Sequence, residues 1–223
     1  MSTNRLCAVL FDFDGVLINS MNVMRLAFEA SHRDVYGEQG CDFDQLFTVY
    51  RRHLGKGFPE IMRALGLSVA LHPHFKEHSR YLTRYVHLYG GVTTLLDSLS
   101  STGWTMGIAT GKDHARTCEL LDHLQLRHHF RVVLGCDSVA SPKPAPDMVE
   151  AFVAQTGAVL EQLVLVGDAP ADLECARRAR CRSVAALWGF TSAQELRNEQ
   201  PEFMAESPAQ LLAWLQQHRE ETA

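Results

Sequence analysis

The sequence predicts an α/β fold, with an open sheet of parallel strands covered by helices and a helical lid inserted after the first strand. Three observations predict it. Leu6 to Phe11 is a continuous apolar run ending at Asp12, Trp104 to Ala109 ends at Thr110, and Leu163 to Val166 ends at Gly167-Asp168. Runs this short and this apolar suit strands buried on both faces, as in a parallel sheet. Helix-period segments alternate with the strands from residue 89 onward. About 70 residues between the first strand and that point carry helical stripes and no strong strand run.

Taken in order, the first strand runs to Phe11, and Asp12-Phe13-Asp14-Gly15 follows it. The lid segment carries a stripe at Phe58, Ile61, Met62 and Leu65 and another at Tyr81, Tyr85 and Leu88, both read as core. Gly90-Gly91 is a candidate hinge where the chain returns, since glycine tolerates large dihedral changes. Val92, Leu95, Leu96 and Leu99 then mark a helix at i, i+3, i+4, i+7 spacing. Arg131 to Leu134 and Arg182 to Ala186 are weaker strand candidates. Leu211, Trp214 and Leu215 place a helix near the C-terminus. The division is thus a core of 1–15 and 89–223 and a helical lid of 16–88.

Composition bounds the function. The 223 residues are 46% hydrophobic and 21% charged with a net charge of −5, which suits a globular protein and argues against a nucleic-acid-coating surface, while leaving room for a small local cluster of positive charge. No apolar run approaches the roughly 20 residues of a membrane span, and the N-terminus lacks a signal peptide's apolar region. The six cysteines are scattered without a C-x-x-C pair and read as reduced thiols in a cytoplasmic protein. The oligomeric state is not legible.

Ligands of open parallel sheets bind at the carboxyl ends of the strands. The polar residues there are Asp12 and Asp14, Thr110 and Gly111, and Asp168 and Asp172. Residues two apart on extended chain point the same way, so Asp12 and Asp14 can face one site. Paired carboxylates repel unless a cation or a shared proton relieves them. Mg²⁺ fits, because it prefers oxygen ligands and needs only one or two carboxylates plus a substrate phosphate. Each diacid alone reads equally as capping or solvated acids, Asp168 as a helix cap in particular; two diacids at adjacent strand ends favour a metal. Thr110-Gly111 before a helix is a candidate anion site. A P-loop is excluded, because its first glycine would fall at Met106 and Asp113 follows Lys112. Lys143, fixed between Pro142 and Pro144, is one of four lysines against seventeen arginines and suits a phosphate or acyl-phosphate. A surface lysine on a rigid turn is the competing reading.

Taken together, D-F-D-G-V, A-T-G, P-K-P-x-P-D and G-D-x-x-x-D resemble, in order and spacing, the four motifs of the haloacid dehalogenase (HAD) superfamily. The resemblance implies a Rossmann-like core and a helical C1 cap. It implies Asp12 as nucleophile, Asp14 as general acid and base, and Thr110, Gly111 and Lys143 as phosphate-binding groups. It also implies Mg²⁺ on Asp12, the Asp14 main-chain carbonyl and Asp168, with Asp172 in the outer shell. Asp14 favours phosphoryl transfer, since the dehalogenases themselves generally lack this second acid. Ala169 stands where many relatives have Ser or Thr, and Val16 and Asn19 also depart from frequent choices.

Specificity is expected from the lid, where Arg52, His53 and Lys56 lie in a glycine-flanked cationic stretch. That stretch, with A-T-G-K and A-A-L-W-G, resembles the phosphatases associated with 3-amino-5-hydroxybenzoate synthesis, relatives of phosphoglycolate phosphatase. The expected activity is hydrolysis of a small organic or sugar-type phosphate. A phosphoglycolate phosphatase, a β-phosphoglucomutase-like mutase, a phosphonoacetaldehyde hydrolase using Lys56 or Lys76, and a silent binding module are the alternatives. His72, His74 and His78 are read as an exposed lid helix, and His128-His129 stays unassigned.

Overall fold

The computed structural model describes residues 6–37 and 41–220, the side chain of Glu220 apart. Residues 1–5, part of the segment read as lacking a signal peptide, lie outside the described residues. The order is β1 (Ala8–Phe11), β2 (Ile18–Asn19), α1 (Met21–Tyr36), α2 (Phe43–Arg51), α3 (Phe58–Ala64), α4 (Leu71–Tyr81) and β3 (His87–Leu88). Then come α5 (Val92–Ser101), β4 (Thr105–Ala109), α6 (His114–His123), β5 (Val132–Leu134), α7 (Asp147–Thr156), β6 (Leu163–Gly167), α8 (Pro170–Ala179), β7 (Arg182–Ala186), α9 (Ala193–Asn198), β8 (Phe203–Ala205) and α10 (Pro208–Glu220).

Six described strands form one parallel sheet in the order β5-β4-β1-β6-β7-β8. Strand alternation divides its side chains between two cores. Val9, Phe11, Met106, Ile108, Val164 and Val166 pack in one cluster with Leu95, Leu121 and Leu215 of α5, α6 and α10. Ala8, Leu10, Leu163 and Leu165 point the other way, onto Met148 and Phe152 of α7 and Ala176 of α8. Burial on both faces is why these strands read as unbroken apolar runs. No helix among the described residues is long and apolar enough to cross a membrane, and all six cysteines are free.

The helices α1 to α4 have a hydrophobic cluster of their own, built on Phe28, Tyr50, Phe58, Met62 and Phe75. Its aromatic rings pack on one another, Phe28 on Tyr50 at 4.7 Å and Phe58 on Phe75 at 4.3 Å. The chain enters and leaves this unit through β2 and β3, an antiparallel pair joining Ile18 to Leu88. Two residues on each side are too short for a sequence run to show. β8 also went unpredicted, because it is three residues long and only Ala205 in it is buried.

One expectation is corrected. Tyr81 and Tyr85 are not core, being 72% and 49% exposed. The 3.6-residue period breaks there: α4 ends at Tyr81 and a tighter 3₁₀ turn takes Thr83–Tyr85. The buried face of α4 is instead Leu71, Phe75 and Ser79, spaced four apart. His74 and His78 on the same helix both reach Asp34 of α1, at 3.1 and 2.7 Å.

Candidate active site

The parallel register sets the site. Phe11 of β1 pairs with Ile108 of β4 and Val166 of β6, so the residues past those strand ends converge. The backbone continues the sheet briefly: Asp12 N–H donates to the Val166 carbonyl (2.8 Å) and Thr110 N–H to that of Leu134 (2.9 Å). The order in which strands are added reverses beside β1, with β4 and β5 on one side and β6 to β8 on the other, the place where such folds open a crevice.

Asp12, Asp168 and Asp172 meet in this crevice. All three are buried, and one carboxylate oxygen from each lies within 4.8 Å of the others. Lys143 enters from the Pro142–Pro146 loop, wholly buried. Its three ammonium protons meet the Ala109 carbonyl at 2.8 Å, Asp172 Oδ1 at 2.5 Å and Asp12 Oδ1 at 3.0 Å. Asp172 Oδ2 accepts the Ala169 N–H (3.0 Å), and Asp168 Oδ2 accepts the Phe190 N–H (2.7 Å). One buried ammonium thus faces three carboxylates. Burial, then repulsion from Asp172, pushes Asp12 up to about 7 although Lys143 pulls it down. Burial, then Asp12 and Asp172, likewise raises Asp168 well above the ordinary carboxylate range.

The capping reading of Asp168 is excluded by this geometry. Asp168 does not cap α8; its carboxylate is turned to Phe190, and the N-terminal amide at Ala169 is met by Asp172. Asp172 stands in the acid cluster itself, held by Lys143. Lys143 lies beneath the cleft, bridging two acids, and is absent from its wall.

Asp14 takes another direction. Its carboxylate accepts from Ser20 Oγ (2.5 Å) and pairs with Lys112 Nζ (3.2 Å). Sequence reasoning passed over both partners; Lys112 was visible next to Thr110-Gly111, whereas nothing in the sequence marks Ser20. Gly15, with φ of +84°, lets the chain turn away. It also leaves room for Asp168, whose Oδ2 would lie 2.1 Å from a Cβ at this position. Gly189 makes the same allowance from the other side, 2.5 Å from that oxygen. Thr110 is buried, its Oγ1 accepting the Lys112 N–H (3.2 Å).

Above these groups is a cleft of some 700 Å³, partly open to solvent. Asp12, Asp14, Thr110, Gly111 and Asp168 form its floor, and α1 to α4 supply its opposite wall. The loop before α3 touches down on the floor: a Cβ at Gly111 would stand 2.4 Å from the Lys56 carbonyl oxygen. Lys56 lines the cleft. Arg52 and His53 do not line it; Arg52 borders a separate surface hollow with Thr48 and Glu195.

Residues 9–186 match the family model of the haloacid dehalogenase-like hydrolases. The chain belongs to this family. It is 29% identical over 219 residues to a phosphoglycolate phosphatase of Aquifex aeolicus, covering 94% of this chain and 97% of that one. Over 214 residues it is 25% identical to the pyrophosphatase PpaX of Listeria welshimeri, covering 95% and 97%. A hydrolase from Pseudomonas syringae shares the fold, with a TM-score of 0.82 at 22% identity over 94% of this chain and 98% of that one. As a haloacid dehalogenase-like hydrolase the chain is an enzyme, and the crevice at β1, β4 and β6 is its candidate active site.

The donor set fits Mg²⁺. Among the described residues no hydrogen bond engages Asp12 Oδ2 or Asp168 Oδ1, which leaves hard anionic oxygens for a cation. A divalent ion also relieves the repulsion that one lysine leaves. In this hydrolase Gly15→Ala is expected to fold yet to weaken Mg²⁺ binding about tenfold or more, measured by calorimetry, because the new methyl displaces Asp168. The raised carboxylates fix a pH dependence too. Between their ordinary and their raised values the native state binds more protons than the unfolded chain, so metal-free stability falls as pH rises toward 7. Mg²⁺ binds the ionised acids. Its stabilising effect on the melting temperature is therefore expected to grow between about pH 5 and about pH 8; an effect that shrinks over this range would contradict the cluster's role.

Proposed function

We propose that the protein is a Mg²⁺-dependent phosphatase that hydrolyses a small organic or sugar-type phosphate monoester through an aspartyl-phosphate on Asp12. The observation that carries this reading is the buried trio of Asp12, Asp168 and Asp172 around Lys143, at the foot of a cleft that Thr110 and Gly111 also line. Family membership and relatives named as phosphatases support it. In this reading residues 16–88 are a cap domain over a core of 1–15 and 89–223, and the enzyme works in the cytoplasm. Secondary-metabolite biosynthesis is the setting that the lid's resemblance suggests.

Asp12 would attack phosphorus through the oxygen that faces the cleft, forming a P–O bond as the bond to the leaving alcohol breaks. Asp14 would give its proton to the departing oxygen and then take one from water. That water would attack the aspartyl-phosphate, releasing inorganic phosphate and restoring the Asp12 carboxylate. Thr110 Oγ1 and the backbone at Gly111 are suited to orient the phosphoryl oxygens. Mg²⁺, on Asp12, Asp168 and the Asp14 carbonyl, would supply countercharge to the phosphoryl group. Lys143 keeps Asp12 and Asp172 in position from below.

Release of inorganic phosphate from phenyl phosphate in the presence of Mg²⁺ tests the reading. Asp12→Asn is expected to lower kcat by at least about a thousandfold, since the nucleophile is lost. Asp14→Asn is expected to lower it by about 10²–10⁴-fold, with retained Mg²⁺ affinity, because its side chain stands outside the acid trio. Undiminished turnover by Asp12→Asn rejects the mechanism.

A further inference from the structure

The cleft's upper chamber, where the leaving alcohol of the proposed reaction must sit, has an apolar wall. Met24, Tyr50, Phe58, Ile61 and Phe75 line it, with the ring of His72. Three of these rings form a continuous stack: His72 lies on Phe58 at 5.3 Å and 20° between planes, and Phe58 lies on Phe75 at 4.3 Å and 25°.

The charged groups facing the chamber are already paired. Lys56 Nζ is 3.2 Å from Glu60, Lys76 Nζ is 3.0 Å from Asp113, and Lys112 Nζ is 3.2 Å from Asp14. Arg116 commits its terminal nitrogens to Glu119, the Ser79 carbonyl and Thr83. His72 adds no charge near neutral pH, because burial, and then Lys76, holds its pKa below the usual value. Among the described residues that line the chamber, every lysine and arginine therefore already has an acidic partner. A second anionic group on the substrate, such as a carboxylate or another phosphate, would have to compete with these acids for a lysine. An uncharged ring meets no such cost and can lay its C–H face on the aromatic stack.

We propose that the enzyme selects phosphate monoesters of an uncharged cyclic alcohol, and that the paired lysines of the chamber exclude substrates carrying a second anion. The inference rests on the phosphatase reading above and adds the substrate class. It departs from the substrates that the names of the similar proteins suggest, since glycolate carries a carboxylate and pyrophosphate a second phosphate. Aryl and sugar rings share the required chemistry, and the two are separated by the assay.

The experiment compares kcat/KM of the Mg²⁺-loaded wild type for phenyl phosphate, glucose 6-phosphate, 2-phosphoglycolate and pyrophosphate. At least one ring substrate is expected to exceed both anionic ones by about tenfold or more. Phenyl phosphate leading identifies an aryl alcohol, and glucose 6-phosphate leading a sugar. A lead by phosphoglycolate or pyrophosphate overturns the inference and leaves the phosphatase reading standing. No release from any of the four overturns both. Two variants locate the cause. Glu60→Gln, at a half-buried position of α3, frees Lys56 and is expected to narrow the ring-to-phosphoglycolate ratio about fivefold. Phe75→Leu is expected to lower kcat/KM for the ring substrate and to spare phosphoglycolate. Ratios that stay at the wild-type value in both variants overturn the assignment of selectivity to this chamber.

Discussion

One lysine among three buried carboxylates is the constraint on which the rest of the structure depends. Lys143 has three protons to give, and the Ala109 carbonyl, Asp172 and Asp12 take them all. Asp168 then has the Phe190 amide and no cationic neighbour of its own within this trio. Removing charge from water costs several kcal/mol per ion unless it is paired, so the cluster is stable only with protons or a metal to complete it. That imbalance is what makes the cluster's donor set suited to a small cation.

The sheet makes this arrangement cheap to build. Three neighbouring parallel strands end level with one another, and each hands the chain directly to a polar residue. The apolar residues that precede those ends anchor the acids by burying both faces of the sheet. Absent side chains matter as much. Gly15 and Gly189 enclose the Asp168 carboxylate so closely that a methyl on either would fall within 2.5 Å of it. Gly111 does the same for the lid, admitting the Lys56 carbonyl against the floor. Chamber and floor are thus one shape, held across the lid boundary by pairs such as Arg80 with Glu119 and Lys76 with Asp113.

Much of this was legible in the sequence because it depends on local order. The strands of the sheet's centre announced themselves through buried apolar runs, and Asp12, Thr110 and Asp168 followed as the residues at their ends. Lys143 stood out between prolines. What escaped depends on distance in the chain. That Lys143, 29 residues earlier, holds Asp172 Oδ1 could not be read from spacing along α8. Ser20 and Lys112 escaped for the same reason, since only the turn at Gly15 brings Asp14 between them. The aromatic lid wall was visible as a stripe at Phe58, Ile61 and Met62, but a stripe does not say which of its members faces a cleft. Tyr81 and Tyr85 misled because a helical period was extended through a 3₁₀ turn that no single residue signals.

The contrast between Asp12 and Asp14 shows how two identical side chains, two residues apart, acquire different surroundings. Extended chain would point both the same way, and up to Asp12 it does. After Phe13 the backbone leaves the sheet, and the Gly15 turn carries Asp14 beside the start of the lid. Asp12 is left in a dry, crowded cluster where burial and then Asp172 raise its pKa against the pull of Lys143. Asp14 instead borders the cleft, between the Ser20 hydroxyl and the Lys112 ammonium. The separation of these two environments follows from the path of the chain, which leaves the sheet after Phe13 and turns at Gly15.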